Sequence, residues 1–426
     1  MTPTSLRVVR ITAASLLTGL MIGLVGSAFR YLLLRADGLR NFLAFAAHRW
    51  PHMGWIAPVL LSAAGAGLAR MLVVRFQPYA AGSGIQQVEA VFSGEAKPAG
   101  IGIVPVKFVG GLLAMGSGLA LGVEGPTVQM GSSLALWGSK SLLRDETDRK
   151  VIGAAGAGAG LGVAFNAPVG GAVFVFEELT SSFTQWQLIA TLAAAAAAVW
   201  TMRLLLGNNV HFMVNRVTSS ETHLLAPYLL LGAMLGAVGA LYNRVSVGLL
   251  RFSDRLVRIT SVYWATLVGA GVGLVVWFVP NLAGGGDPLT QGILSNQYGT
   301  KALLVGFVLR FLLGPWSYAA GTPGGLFAPM LVLGASFGAL FGVVANHFIP
   351  GIDLSPVACA VVGMAGLFSA SVRAPLTGIV LAVEMTGRGD LTLGLLAGSM
   401  GAMVVAMLLK SEPIYVTLKE RMLKRT

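Results

Sequence analysis

The sequence predicts an all-α, polytopic membrane protein built from two related halves. Three observations predict it. The first is composition: 426 residues, 55% hydrophobic and only 11% charged, with a mean hydropathy of +0.77, where a soluble domain carries about 25% charged residues. The second is length. Apolar stretches at 11–29, 188–206 and 391–409 can each cross a bilayer, which takes about 20 residues. The third is that the chain repeats itself. Gly122-Val123-Glu124-Gly125-Pro126, followed by Gly131 and Ser133, returns as Gly325-Leu326-Phe327-Ala328-Pro329, followed by Gly334 and Ser336, at an offset of 203. Asn166-Ala167-Pro168, with Gly171 and Glu177, returns as Arg373-Ala374-Pro375, with Gly378 and Glu384, at an offset of 207. Two blocks in one order at nearly one offset imply a duplicated unit. Paired Gly/Pro-interrupted apolar segments in the two halves of a membrane protein point to a transport site.

The halves are read as 1–216 and 217–426 of a single transmembrane domain, with polar 215–221 as the joint. Inside each half, long apolar segments alternate with short pieces bounded by Gly and Pro, at 84–92, 126–137, 167–178, 288–294 and 375–384. Helices that short cannot cross ~30 Å of hydrocarbon. They must end within the membrane, where their terminal N–H groups need protein, water or an ion as partner. The 57 glycines fit helices packed through small residues, and Gly19-x-x-x-Gly23 is one such pair.

The net charge of +12 does not mark a nucleic-acid binder. Its cations lie mostly at segment ends: Arg7, Arg10, Arg35, Arg40, Arg149, Lys150, Lys410, Lys419, Arg421, Lys424 and Arg425. This is the positive-inside pattern, and it places both termini in the cytoplasm. The lone Cys359 excludes an intrachain disulfide framework. Stretch 11–29 is too long for a signal-peptide core and lacks a cleavage site, and only a short tail follows Pro413, with no room for a regulatory domain. Among the histidines, His48 and His52 are four apart but separated by Pro51, and His211, His223 and His347 stand alone. No metal site or other cofactor is read.

Gly122-Val123-Glu124-Gly125-Pro126 carries the first chemistry. Pro126 suits the first position of a helix, and Gly122 and Gly125 let the backbone bend before it. Unpaired amides at such a terminus favour an anion. Glu124 sits where that anion would bind, so its carboxylate can fill the place or take a proton and leave. A carboxyl inside a membrane is costly and usually functional. Gly325-Leu326-Phe327-Ala328-Pro329 supplies a second terminus, with Phe327 offering an N–H and no competing charge. Gly82-Ser83-Gly84-Ile85 opens a third short helix, where Ser83 either caps the helix or donates its hydroxyl to an anion. Lys107, Arg310 and Glu384 read as residues that pair locally or reach an interface, and Glu89 as lying near the end of its short helix.

These segments together resemble the anion-selectivity motifs of the CLC family of chloride channels and chloride/proton exchangers. Lys107-Phe108-Val109-Gly110-Gly111, Asn166-Ala167-Pro168 and Tyr415 after Glu412-Pro413 match as well, and the match runs almost end to end. The resemblance implies an inverted-repeat bundle of tilted and half-length helices, working as a homodimer with one pore per subunit. It implies that Ser83 and Tyr415 grip the central anion, and that the backbone of Gly84, Ile85, Gly325, Leu326 and Phe327 surrounds it. Glu124 would be the external gate and proton acceptor. Glu178 matches the internal glutamate of many proton-coupled exchangers. The chain departs from the family in having Val123 where Arg is common, which removes a cation beside Glu124, and Gln86 where Pro is common. The repeat supports Glu178 independently. When Glu177 is aligned with Glu384, the next position is Glu178 in one half and Met385 in the other, so one carboxylate is extra.

The implied activity is exchange of chloride for protons. Chloride and the Glu124 carboxylate compete for one amide cluster, and that reciprocity links proton movement to anion movement. With dipoles and hydroxyls as ligands and no full positive charge in the motif, release stays fast. Glu178 would pass protons from the cytoplasmic side, and Tyr415 would narrow the inner mouth. A passive chloride channel of the same fold would not need Glu178. A fluoride/proton exchanger would not be expected to carry the Ser83 and Tyr415 pair. Gly334-Ala335-Ser336-Phe337-Gly338 fits a hydrolase nucleophile elbow, but that motif needs a strand-to-helix turn and here lies in a helix-like run, so no enzyme is expected. The expected partners are chloride, protons and the bilayer. The small-residue run 190–198 is a candidate dimer interface, and the expected location is a bacterial inner membrane.

Overall fold

In the computed structural model, residues 3–50, 52–180, 182–214, 224–256 and 261–424 are described. The proposed joint at 215–221, together with His223, Pro51 and Arg425, lies outside them. The described residues form seventeen α-helices. In chain order these are α1 (Pro3–Ala47), α2 (Ile56–Phe76), α3 (Ile85–Phe92), α4 (Ile103–Gly116), α5 (Glu124–Gly138), α6 (Glu146–Phe165) and α7 (Pro168–Phe174). Then come α8 (Gln185–Leu206), α9 (Leu225–Leu256), α10 (Ser261–Phe278), α11 (Asp287–Leu294), α12 (Thr300–Tyr318) and α13 (Phe327–Phe348). The chain closes with α14 (Pro356–Val372), α15 (Pro375–Thr386), α16 (Thr392–Leu408) and α17 (Ile414–Leu423).

Eight of these are long and apolar enough to cross a membrane. Their outer faces expose large apolar side chains, among them Phe45, Leu204, Phe278 and Leu408, which suits hydrocarbon. The five expected short pieces are found as α3, α5, α7, α11 and α15. α7 runs on into a π-helical turn, Val175–Leu179. Pro126 stands at the third position of α5, not the first, because the helix already begins at Glu124. Its missing N–H still falls in the first turn, where no intrahelical partner exists.

The interior is built by close helix approach. A side chain at Gly131 would collide with the Gly156 carbonyl, and one at Gly334 with the Gly363 carbonyl. The α5–α6 and α13–α14 contacts are thus the same contact made at the two sequence offsets. α6 and α14 also end alike, with Asn166 and Arg373 as left-handed C-caps. Gly19 and Gly23 bring α1 against the backbone of Ala194 and Ala198 on α8. In the run 190–198, Ala190, Ala194, Ala195, Ala197 and Ala198 are buried within the chain, while Leu192 and Ala196 face outward. Small residues allow approach to any helix, and here the neighbour belongs to the same chain.

Candidate anion and proton site

Two short bridges join the halves where the broken helices meet. Gly122 and Gly325 exchange N–H···O bonds of 2.9 and 2.8 Å in antiparallel fashion, and Gly82 pairs beside Pro323. α3, α5 and α13 all begin at this seam. Gly84 caps α3 at φ +89°, a left-handed geometry that an ordinary side chain resists.

Glu124 is completely buried. Its carboxylate reaches across the seam to the start of α13, where Ala328 N–H donates to Oε1 at 3.0 Å. It also folds back over Gly122, where a side chain would strike the carboxyl group. The carboxylate therefore fills an amide cluster, as the sequence suggested. The principal helix end belongs to α13 of the other half, and not to Glu124's own helix alone. Its Oε2 has no bonding partner. Phe327, fully buried, packs its ring between Phe165 at 5.1 Å and Phe368 at 4.2 Å.

The two expected hydroxyls are present and lie close to each other. Ser83 Oγ and Tyr415 Oη are buried without a hydrogen-bond partner, and Tyr415 lies within electrostatic reach of Glu124 and Glu178. Ser83 does not cap α3, where Gly84 is the N-cap. Gly84 and Gly325 differ from expectation, since their N–H groups are already taken. Gly84 N–H donates to Gln86 Oε1 at 3.1 Å and Gly325 N–H to the Gly122 carbonyl, so both shape the site without donating to it. Ile85 and Leu326 are fully buried. Gln86 thus has a job that proline could not perform.

Sequence reasoning underrated Lys107. It is fully buried, and Nζ donates to the carbonyls of Gly82 at 2.6 Å and Ser83 at 3.0 Å. The Lys107 amine therefore stands directly behind the Ser83 loop, held by backbone carbonyls. Tyr318, unnoticed in the sequence, accepts the Ser83 N–H at 3.3 Å. Arg310 donates to the carbonyls of Leu282, Gly284 and Gly285, a local structural use as expected.

At the far end of α7 the acidic residues divide their labour. Glu177 receives Leu376 N–H at 3.0 Å, Thr377 N–H at 2.7 Å and the Thr377 hydroxyl at 2.8 Å, all at the start of α15. Glu384 on α15 receives Val169 N–H at 3.1 Å and Gly170 N–H at 2.6 Å at the start of α7. Each glutamate seals the other half's helix. Glu178 is left out of this exchange, and no hydrogen bond to its carboxylate is formed among the described residues. It lies within electrostatic reach of Glu89 and Lys419. Lys419 bridges Glu89 and Glu95 at 3.0 Å each, and Glu89 sits in the second turn of α3. Ser336 is buried in α13 with its hydroxyl bonded to the Val332 carbonyl at 2.8 Å, so the elbow geometry is absent. No group of three or more metal-ligating side chains occurs among the described residues.

A spanning bundle whose interrupted helices meet at a buried carboxylate and two buried hydroxyls has the build of a membrane ion transporter. Its family model, described as voltage gated chloride channel, matches residues 65–407, and the chain belongs to that family. It is 38% identical over 421 residues to the H(+)/Cl(-) exchange transporter ClcA of Vibrio cholerae, an alignment covering 96% of this chain and 89% of the relative. The ClcA of Cronobacter sakazakii is 36% identical over 418 residues, covering 96% and 89%. Among solved structures, a slow cyanobacterial Cl-/H+ antiporter superposes with a TM-score of 0.94 at 31% identity, covering 98% of this chain and 99% of that one.

Proposed function

We infer that this protein is a secondary active transporter that exchanges chloride for protons across a membrane. The observation that carries the reading is the Glu124 carboxylate on the Ala328 amide, beside the unpaired Ser83 and Tyr415 hydroxyls. An anion fits that cluster when the side chain takes a proton and swings out, and the carboxylate returns when the anion leaves. Ser83 and Tyr415 hold the chloride from the hydroxyl side, with the amides at Phe327 and Ala328 opposite and Ile85 and Leu326 as walls. Lys107 holds the Ser83 carbonyl turned away from the anion, so the hydroxyl faces it.

Glu178 is the internal proton donor. Freedom from the Glu177–Glu384 exchange leaves its carboxyl available to load and unload, and Tyr415 stands in the electrostatic field of both Glu178 and Glu124. The cations Lys419 and Arg421 lie on α17 with Lys424 just after it, and Arg7 bonds Asp148 at the start of α6, the helix end that sits with the Glu178 end of α7. By the positive-inside rule that face is cytoplasmic, both termini included. We assign the protein to a bacterial inner membrane as a homodimer of two-repeat subunits, 1–216 and 217–426. Proton uptake into proteoliposomes, driven only by a chloride gradient with the voltage clamped, tests the reading. Uphill proton movement that disappears in Glu178→Gln establishes it. Chloride flux without any proton movement would make the protein a passive channel.

A further inference from the structure

We propose that the pocket at the end of α7 opposite Glu178 holds a second anion-recruiting site, made by Arg30 and His211 and switched on when His211 gains a proton. This rests on the exchange reading above. The pocket has a volume of about 320 Å³ and is lined by Arg30, Asn166, His211, Asp287 and Gln291 among others. Asn166 fixes its level in the bundle. It ends α6 just before α7, and α7 with its π-turn sets Glu178 roughly 15–18 Å away. Phe165 connects the pocket to the central site: its ring lies 5.8 Å from His211 and 5.1 Å from Phe327, whose helix start holds Glu124.

The bonding in the pocket has a direction. Arg30 Nη2 lies 3.4 Å from His211 Nδ1, and His211 Nε2 lies 3.3 Å from Asp287 Oδ2. A guanidinium can only donate. In the neutral ring Nδ1 is therefore the acceptor, and Nε2 carries the hydrogen that goes to Asp287. The imidazole ring is almost enclosed, while 54% of the Asp287 side chain is accessible. The other charged groups on the helices around the ring are committed elsewhere. Arg203 on α8 bonds Asn166, Arg310 on α12 bonds three carbonyls, and Asp37 on α1 pairs with Arg40. Glu384 on α15 seals α7, and Glu124 on α5 occupies the start of α13.

A proton arriving from solvent can bind only at Nδ1, and it turns that acceptor into a donor. Arg30 Nη2 then faces an N–H and a second positive charge, so it turns away while Nη1 stays on the Val163 carbonyl at 2.8 Å. The released guanidinium edge and the new imidazolium charge meet in the pocket. The ligand this arrangement takes is a small monovalent anion, the transported chloride itself. The site operates when that face of the membrane supplies the proton.

The test measures chloride uptake into proteoliposomes at equal pH on both faces, in the Glu124→Gln chain so that the gate's own titration is removed. Between about pH 7.5 and about pH 5.5, the chloride concentration for half-maximal uptake should fall by about fivefold, the effect of one unit charge about 4 Å from an anion in water. Adding His211→Gln should abolish that shift. Adding His211→Lys should give the low value at both pH values. Arg30→Gln should shrink the shift without abolishing it, since it removes the guanidinium and leaves the imidazole in place. A half-saturation independent of pH in the Glu124→Gln chain, or a shift that survives His211→Gln, would overturn the proposal. Absence of chloride uptake at either pH would instead sink the exchange reading.

Discussion

The swapped glutamates make Glu177 and Glu178, adjacent in sequence, differ sharply in what they do. Glu177→Gln keeps an oxygen acceptor but removes the charge that faces two amides and a hydroxyl at the start of α15. A carboxylate at a partly buried helix N-terminus contributes up to about 2 kcal/mol, and an unmatched amide of glutamine adds its own desolvation cost. The expected loss is therefore roughly 2 kcal/mol, with a similar or slightly smaller loss for Glu384→Gln, which faces two amides. The two carboxylates contact different helix starts, so the double variant should lose about the sum. Thermal unfolding in detergent should show both single variants melting a few degrees lower, while proton uptake per chloride stays at the wild-type ratio. Glu178→Gln should show the reverse: unchanged melting and lost proton movement with chloride flux spared. A Glu177→Gln protein with unchanged melting and lost coupling would refute the division of labour argued here.

Three further outcomes follow from the central site. Glu124→Gln should abolish proton movement and leave ungated chloride flux, and retained coupling in the same liposome assay would end the gate assignment. Ser83→Pro should shift preference from chloride towards nitrate in competition flux; because proline also loses the Ser83 N–H to Tyr318, Ser83→Ala should accompany it and weaken chloride alone, and an unchanged selectivity ratio in both counts against Ser83 as a ligand. Lys107→Met should be destabilising, since it leaves the buried Ser83 carbonyl unpaired at about 1–3 kcal/mol and the Gly82 carbonyl with only its bond from Gly324 N–H; a well-expressed, fully selective Lys107→Met protein would contradict its role behind the Ser83 loop.

Much of this was legible before the structure. Gly and Pro set the ends of the short helices, and the two offsets correctly paired α5 with α13 and α7 with α15, because local backbone chemistry repeats wherever the fold repeats. The carboxylate at an amide cluster was legible for the same reason. What the sequence hid was which helix end receives it. Glu124 and Ala328 are far apart in the chain, and only packing across the seam brings them together. Lys107 hid behind a general rule that intramembrane cations snorkel or pair with acids, whereas its actual partners are backbone carbonyls, which carry no sequence signal. Arg30, His211 and Asp287 come from α1, an irregular loop and the start of α11, with no spacing that joins them. The run at 190–198 advertised close approach without naming the neighbour, which on its buried side is α1 of the same chain.

The seam at Gly122–Gly325 and Gly82–Pro323 also has a bearing on biosynthesis. A ribosome that has completed the first half has already inserted Glu124, Ser83 and Lys107 into the bilayer, but none of the backbone that will receive Glu124. The nascent half must therefore wait with a carboxyl group and broken helix ends unsealed, until the second half arrives to close over them. Quality control in the cell meets the chain at this stage. Substitutions at Gly325 or Ala328, late in synthesis, should lower the yield of inserted protein as much as its transport.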